Sequence, residues 1–362
     1  MNQQISPLSA APFDWARIAP EDTGFAPDLA ARLDAAAAAG KLPNLHGVIV
    51  ARGGKLVLEH YAAGVDESWG RPLGTVKFGP DTLHDLRSVT KSIVGLVYGI
   101  ALAQGKVPGP EAPLLASFPE YPDLAAEPAR QKLTIGHVLT MTMGTDWDEL
   151  SIPYTNPANA EIAMERAADR YRFILGRPIV GEAGARWTYS GGATALLGRL
   201  IAKGTGQSLP DFARAALFGP LGIEAFEWTR GMDGVTPSAA SGLRLRPRDL
   251  ARIGQMMLQG GTWDGREVVP PSWLQASLQV RVGIDQLRRY GYHWYLGELP
   301  AGSGERIQPE RWIGAIGNGG QRLYVLPGLD LVVAMTFGNY NQPDQWKPPT
   351  AVLREVVLPA VR

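Results

Sequence analysis

Cysteine is absent from all 362 residues. The chain therefore forms no disulfide, carries no thiolate nucleophile and builds no Cys-ligated zinc or iron–sulfur centre. Excess charge is absent as well: 35 Lys and Arg balance 35 Asp and Glu, giving a net charge of zero. With no long run of one sign, nothing attracts nucleic acid or an anionic membrane, and both are excluded as partners. Histidine is scarce. His46, His60, His84, His137 and His293 are scattered and never spaced as H-E-x-x-H, so neither a histidine-rich metal site nor a cofactor is expected. No apolar run is long enough to span a membrane, and residues 1–17 lack both the basic start and the apolar core of a signal peptide. These absences lead to the expectation of a cytoplasmic protein acting on a small, neutral molecule. They leave monomer and homodimer equally open.

What is present is a globular composition, 45% hydrophobic, with 43 Gly and 29 Pro that imply long, shaped loops. The length suits two domains or one large one. An Ala/Leu-rich helix is expected over 28–39, closed by Gly40, followed by a hairpin of strands 46–51 and 56–61 around Arg52-Gly53-Gly54-Lys55. Residues 65–82 read as loop. From Val107 the pattern turns helical, with helices expected over 134–142, 158–168, 192–203, 209–217 and 248–258. Strand character returns at 291–295, 311–316, 322–325 and 331–337, and a last amphipathic helix covers 350–358. Strands near both ends with helices between them imply one sheet built from the two ends of the chain and an inserted helical region.

The richest stretch is Arg87-Ser88-Val89-Thr90-Lys91-Ser92, which runs straight into the apolar segment 93–102. On a helix Ser88 and Lys91 share a face, so the Lys91 nitrogen reaches the Ser88 hydroxyl. At a helix start Ser88 also has free backbone N–H groups nearby to meet a developing oxyanion. Taken alone, the same residues read more simply as a Ser N-cap and a solvated first-turn Lys.

Two later segments add to the pair. Arg186-Trp187-Thr188-Tyr189-Ser190-Gly191-Gly192 presents a tyrosine just before a helix, where it could exchange protons with Ser88 and Lys91 or simply pack its ring. Gly314-Ala315-Ile316-Gly317-Asn318-Gly319-Gly320-Gln321 lies between two strands, where glycine lets backbone approach a ligand. No Gly-Lys-Ser/Thr occurs there, which excludes a phosphate loop, and no Gly-x-Ser-x-Gly elbow occurs anywhere, which disfavours an α/β-hydrolase.

In this order, Ser88-Val89-Thr90-Lys91, Tyr189-Ser190-Gly191 and the late glycine strand resemble the serine β-lactamase and penicillin-binding protein superfamily. Within it the chain looks most like the class C-like esterase and 6-aminohexanoate-dimer hydrolase branch, through 134–142, Asp146-Trp147-Asp148, 249–257 and 321–327. The resemblance implies a β-lactamase/transpeptidase-like α/β (α+β) fold: an antiparallel sheet flanked by terminal helices, with an inserted, mostly helical domain. The divisions are 1–106 with 285–362, and 107–284, with the active site between them. It implies Ser88 as the acylated nucleophile, Lys91 as its proton acceptor and Tyr189 as the relay to the leaving group. The backbone N–H groups of Ser88 and Asn318 form the implied oxyanion hole, with Gly317 in the family's glycine position. Gly191, Gly317, Trp147, Tyr154, Trp187 and Trp294 are the candidate substrate-binding residues. Gly191 stands where penicillin-recognising members carry Asn, and Ala315 where they carry Lys or His, so efficient β-lactam hydrolysis is not expected. The implied activity is that of a serine hydrolase acting on small esters, with linear amides as a second class. An acyltransferase using the same site, or an acyl-binding module without turnover, are the alternatives.

Overall fold

The computed structural model describes residues 14–301 and 307–362, so the signal-peptide reading of 1–17 falls almost wholly outside the described residues. Eight strands form one antiparallel sheet in the order Val282–Gly283, Arg288–Tyr290, Tyr295–Ala301, Gln308–Gly317, Gln321–Leu326, Leu331–Phe337, Leu45–Arg52 and Lys55–Tyr61. The two ends of the chain meet within it, at the sixth and seventh strands of that order, where Val50 pairs with Val333 and Ile49 with Ala334. Both strands are buried nearly end to end, so most of their residues are apolar rather than alternating with polar ones. The helix Leu29–Ala38 buries Leu29, Leu33 and Ala36, one face at helical spacing, and packs against the C-terminal Val352–Val357 turn.

The apolar segment after Ser88 forms the helix Val89–Ala103, buried continuously from Val89 to Ala101. A helix that is apolar all round belongs in a core, and burying each large aliphatic side chain contributes about 1.5–3 kcal/mol. Gly99 makes one of its contacts possible: a Cβ there would fall 1.9 Å from the Trp273 ring. That indole lies flat enough on the helix to donate its N–H to the Gly95 carbonyl at 3.0 Å. The helix Gly191–Thr205 packs alongside, and Gln308–Gly317 passes the other side. From within the stretch 107–284, the helix Pro247–Leu258 packs onto the sheet, its Gly254 set against Val332, Leu323 and Val325.

Two expectations need correction. Residues 65–82 are not loop. Ala63–Ser68 and Arg71–Lys77 pair as an antiparallel hairpin around Trp69-Gly70, both at positive φ. Its second strand is almost entirely exposed, so no apolar alternation marks it in the sequence. The strand expected at 291–295 is interrupted: residues 291–294 form an irregular connection in which His293 takes φ 61°. Close contacts tie this connection down. A Cβ on Gly291 would meet the Ser277 carbonyl at 2.0 Å, and the His293 N–H donates to the Leu139 carbonyl.

Candidate active site

Ser88 stands at the start of its helix in helical conformation and makes no side-chain capping bond, so its hydroxyl is not spent on the helix. The residue before it is in the left-handed region, with Arg87 at φ 49°. For a residue with a side chain that costs on the order of 1–3 kcal/mol and persists only where neighbours enforce it. Here Glu67 and Asp85 hold the Arg87 guanidinium at 2.6 and 3.3 Å, and its carbon lies 4.6 Å over the Tyr340 ring.

Lys91 is 2% exposed, which disposes of a solvated first-turn role. Its Nζ lies 3.1 Å from Ser88 Oγ, 3.2 Å from the Ala240 carbonyl and 3.8 Å from Glu149 Oε1. It also sits 4.7 Å over the Tyr189 ring. Tyr189 is buried and hydrogen-bonded to Ser88. Burial first, and the Glu149 charge second, push its phenol well above the usual tyrosine range, so it stays protonated and serves as a donor.

The late glycine strand closes on the same point. Gly317 ends the strand Gln308–Gly317, and a Cβ on it would fall 2.4 Å from the Leu86 carbonyl. Glycine thus lets the strand end touch the turn that carries Ser88. Asn318 follows and lines the cleft containing Ser88, its amide locked by reciprocal bonds with Asn341 of 2.9 and 2.8 Å.

The candidate pocket residues separate. Tyr154 lines the Ser88 cleft of about 380 Å³, together with Arg87, Glu161, Ser241 and Asn318. Trp147 and Trp187 line a second cavity of about 540 Å³, whose wall includes Tyr189. Trp294 belongs to neither: it is fully buried, a core residue whose indole N–H finds no acceptor among the described residues, and its assignment to the pocket is corrected. Gly191 and Gly317 are buried and serve close packing rather than offering open surface.

Sequence reasoning missed two carboxyl groups. Glu149 is buried and accepts from Trp147 Nε1 at 2.9 Å, the Gly191 N–H at 2.6 Å and the Tyr154 hydroxyl at 3.0 Å. Glu161 hydrogen-bonds to it. Burial, then repulsion from Glu149, hold the Glu161 carboxyl well above the usual carboxylate range, so it keeps its proton and donates it to Glu149. Asn159 ties the two segments together, capping the Ala160–Arg166 helix and donating to the Glu149 and Ile152 carbonyls. Glu149 closes the acidic Asp-Trp-Asp-Glu run, a signal that could have found it. Nothing local marks Glu161.

The chain is 27% identical over 340 residues to the 6-aminohexanoate-dimer hydrolase of Paenarthrobacter ureafaciens, covering 86% of this chain and 79% of that one. It is 31% identical over 219 residues to esterase EstB of Burkholderia gladioli, 56% of this chain and 53% of that one. Its fold superposes on EstCE1, described as a hydrolase with promiscuous acyltransferase activity, with a TM-score of 0.68 at 17% identity, over 90% of this chain and 98% of that one. The β-lactamase/transpeptidase-like fold follows from the sheet and from these matches. Residues 29–354 match the Beta-lactamase family model, and the chain belongs to that family.

Proposed function

We propose that this protein is a serine hydrolase that cleaves small esters, and linear amides as a second class, through an acyl-enzyme on Ser88. The observation that carries the reading is the 3.1 Å contact between Ser88 Oγ and Lys91 Nζ, made inside a cleft and beside a protonated Tyr189. A serine hydroxyl is a weak nucleophile until a base takes its proton. As Oγ bonds to the substrate carbonyl carbon, its proton passes to Lys91 and the carbonyl oxygen takes the negative charge. The Ser88 and Asn318 N–H groups meet that oxyanion. The bond to the leaving group then breaks. Tyr189 gives its proton to the departing alkoxide or amine and regains one from Lys91. Water adds to the acyl-enzyme by the reverse route and releases the acid.

The cleft admits small acyl groups, and Ala315, fully buried, offers no cation for a β-lactam carboxylate. The names of the two curated relatives, a 6-aminohexanoate-dimer hydrolase and an esterase, support the same reading. The test is hydrolysis of p-nitrophenyl acetate and butyrate by the wild type and Ser88→Ala, with intact mass after incubation. Activity confined to the wild type, with an acyl mass on it alone, is the expected result. Equal rates in both proteins would overturn the assignment.

A further inference from the structure

His46 on the strand Leu45–Arg52, Asp66 on Ala63–Ser68 and His84 on His84–Asp85 are far apart in the chain, yet the fold buries all three side chains together. Their hydrogen bonds fix which ring nitrogens carry protons. His46 Nε2 faces Asn44 Oδ1 at 3.1 Å. That oxygen is an acceptor, because the Asn44 amide is oriented by the Val65 N–H at 3.0 Å and by its own Nδ2 on the Val65 carbonyl at 2.9 Å. The His46 proton is therefore on Nε2. His84 Nδ1 faces the Asp85 carbonyl at 2.9 Å, so its proton is on Nδ1. The two remaining nitrogens, His46 Nδ1 and His84 Nε2, point lone pairs at each other across 2.8 Å. Asp66 Oδ1 lies 4.0 and 3.9 Å from the same two atoms and accepts from Tyr340, while its Oδ2 is buried with no hydrogen-bond partner among the described residues.

We infer that His46 Nδ1, His84 Nε2 and the Asp66 carboxylate form a site for a divalent transition-metal cation of the zinc class. A triangle with sides of 2.8, 4.0 and 3.9 Å has its circumcentre about 2.1 Å from each corner, which is the bond length of zinc to imidazole and carboxylate. Two imidazoles and one carboxylate select zinc, copper, iron or nickel over magnesium or calcium. Each ring's outer N–H is held by an amide or backbone carbonyl, as the orienting bonds of metal-bound histidines are. Two glycines allow the surrounding chain to close on the cluster: a Cβ on Gly64 would fall 2.5 Å from His46 Nε2, and one on Gly338 2.6 Å from His46 Cε1. Phe78 stacks on the His46 ring at 4.1 Å.

The site is closed to solvent, so the cation's role is structural. It joins the sheet, the exposed hairpin and the short strand from which Arg87 and Ser88 follow. No element of this pattern is visible in the sequence, where the histidines stand 38 positions apart.

The test is metal content of the full chain, expressed without a polyhistidine tag, followed by unfolding and refolding in metal-free buffer with and without ZnCl2. The expected results are about one equivalent of bound transition metal, a Tm several degrees higher after refolding with zinc, and loss of the metal in Asp66→Asn. A wild type that holds no metal as purified, takes up none on refolding and keeps the same Tm in both buffers would overturn the inference. So would 15N NMR showing a proton shared between His46 and His84. Because the decisive measurements are on the wild type, a variant that fails to fold leaves the test intact.

Discussion

The Glu161 carboxyl carbon lies 2.9 Å from the point where a side chain on Gly191 would begin. The position that resembles an asparagine site in penicillin-recognising relatives is thus not an open gap here. It is filled from a different helix by an acid that keeps its proton. The two residues form one unit, in which a large side chain at either position requires a small one at the other.

Restoring asparagine alone should therefore fail. Gly191→Asn is expected to lose about 1–3 kcal/mol of stability through overpacking, and Gly191→Asn combined with Glu161→Ala should recover most of it. Urea unfolding of the two variants and the wild type checks this. Additive losses in the double variant would show that the positions do not share the space.

Glu161 also sets a pH dependence. Its carboxyl is raised in the folded protein from the unfolded value of 4.5, so the native state binds the proton more tightly. The stability this provides is complete below 4.5 and falls as pH rises through the folded value, by at most about 1.4 kcal/mol per pH unit. Glu161→Gln removes that slope. Unfolding free energies from pH 5 to 8 should decline in the wild type relative to the variant; parallel curves would contradict the protonated assignment.

Tyr189→Phe removes the proton given to the leaving group while keeping the ring. The kcat should fall by about 10²–10⁴ for alkyl esters or anilides, whose leaving groups need a proton, and by clearly less for p-nitrophenyl esters. Parallel steady-state assays on the two substrate types distinguish a relay from a packing role, which would lower both alike.

At Gly317 the strand end meets the Leu86 carbonyl, backbone against backbone, so an added methyl cannot be absorbed by a rotating side chain. Gly317→Ala should displace Asn318 and cost about 10²–10³ in kcat, the loss typical of one oxyanion donor. Its KM should change far less. Steady-state kinetics with p-nitrophenyl butyrate separates the two constants.

The sheet strands 311–316, 322–325 and 331–337 were legible because buried β-rich runs sit between turn residues, and Ser88, Lys91 and Tyr189 because three spaced motifs occur in order. The hairpin Ala63–Lys77 was not, since its exposed second strand has no apolar face to alternate. Trp294 was misplaced because an aromatic residue in the sequence looks the same whether it walls a cleft or fills a core. Glu161 and the His46–Asp66–His84 cluster escaped for another reason. Each exists only through contacts between distant segments, and the residues flanking them carry no period or cap that signals the meeting.

The pairing of Leu45–Arg52 with Leu331–Phe337 also orders events during synthesis. One edge of the early strand can pair at once with Lys55–Tyr61, but the other waits until nearly the whole chain has left the ribosome. Until then the edge of a strand with the apolar run Val48-Ile49-Val50-Ala51 remains open to other nascent chains. Closure of so distant a contact is slow, so the yield of native protein depends on how long that edge is shielded. Chaperone supply and growth temperature should therefore govern soluble expression more strongly than the stability of the finished fold.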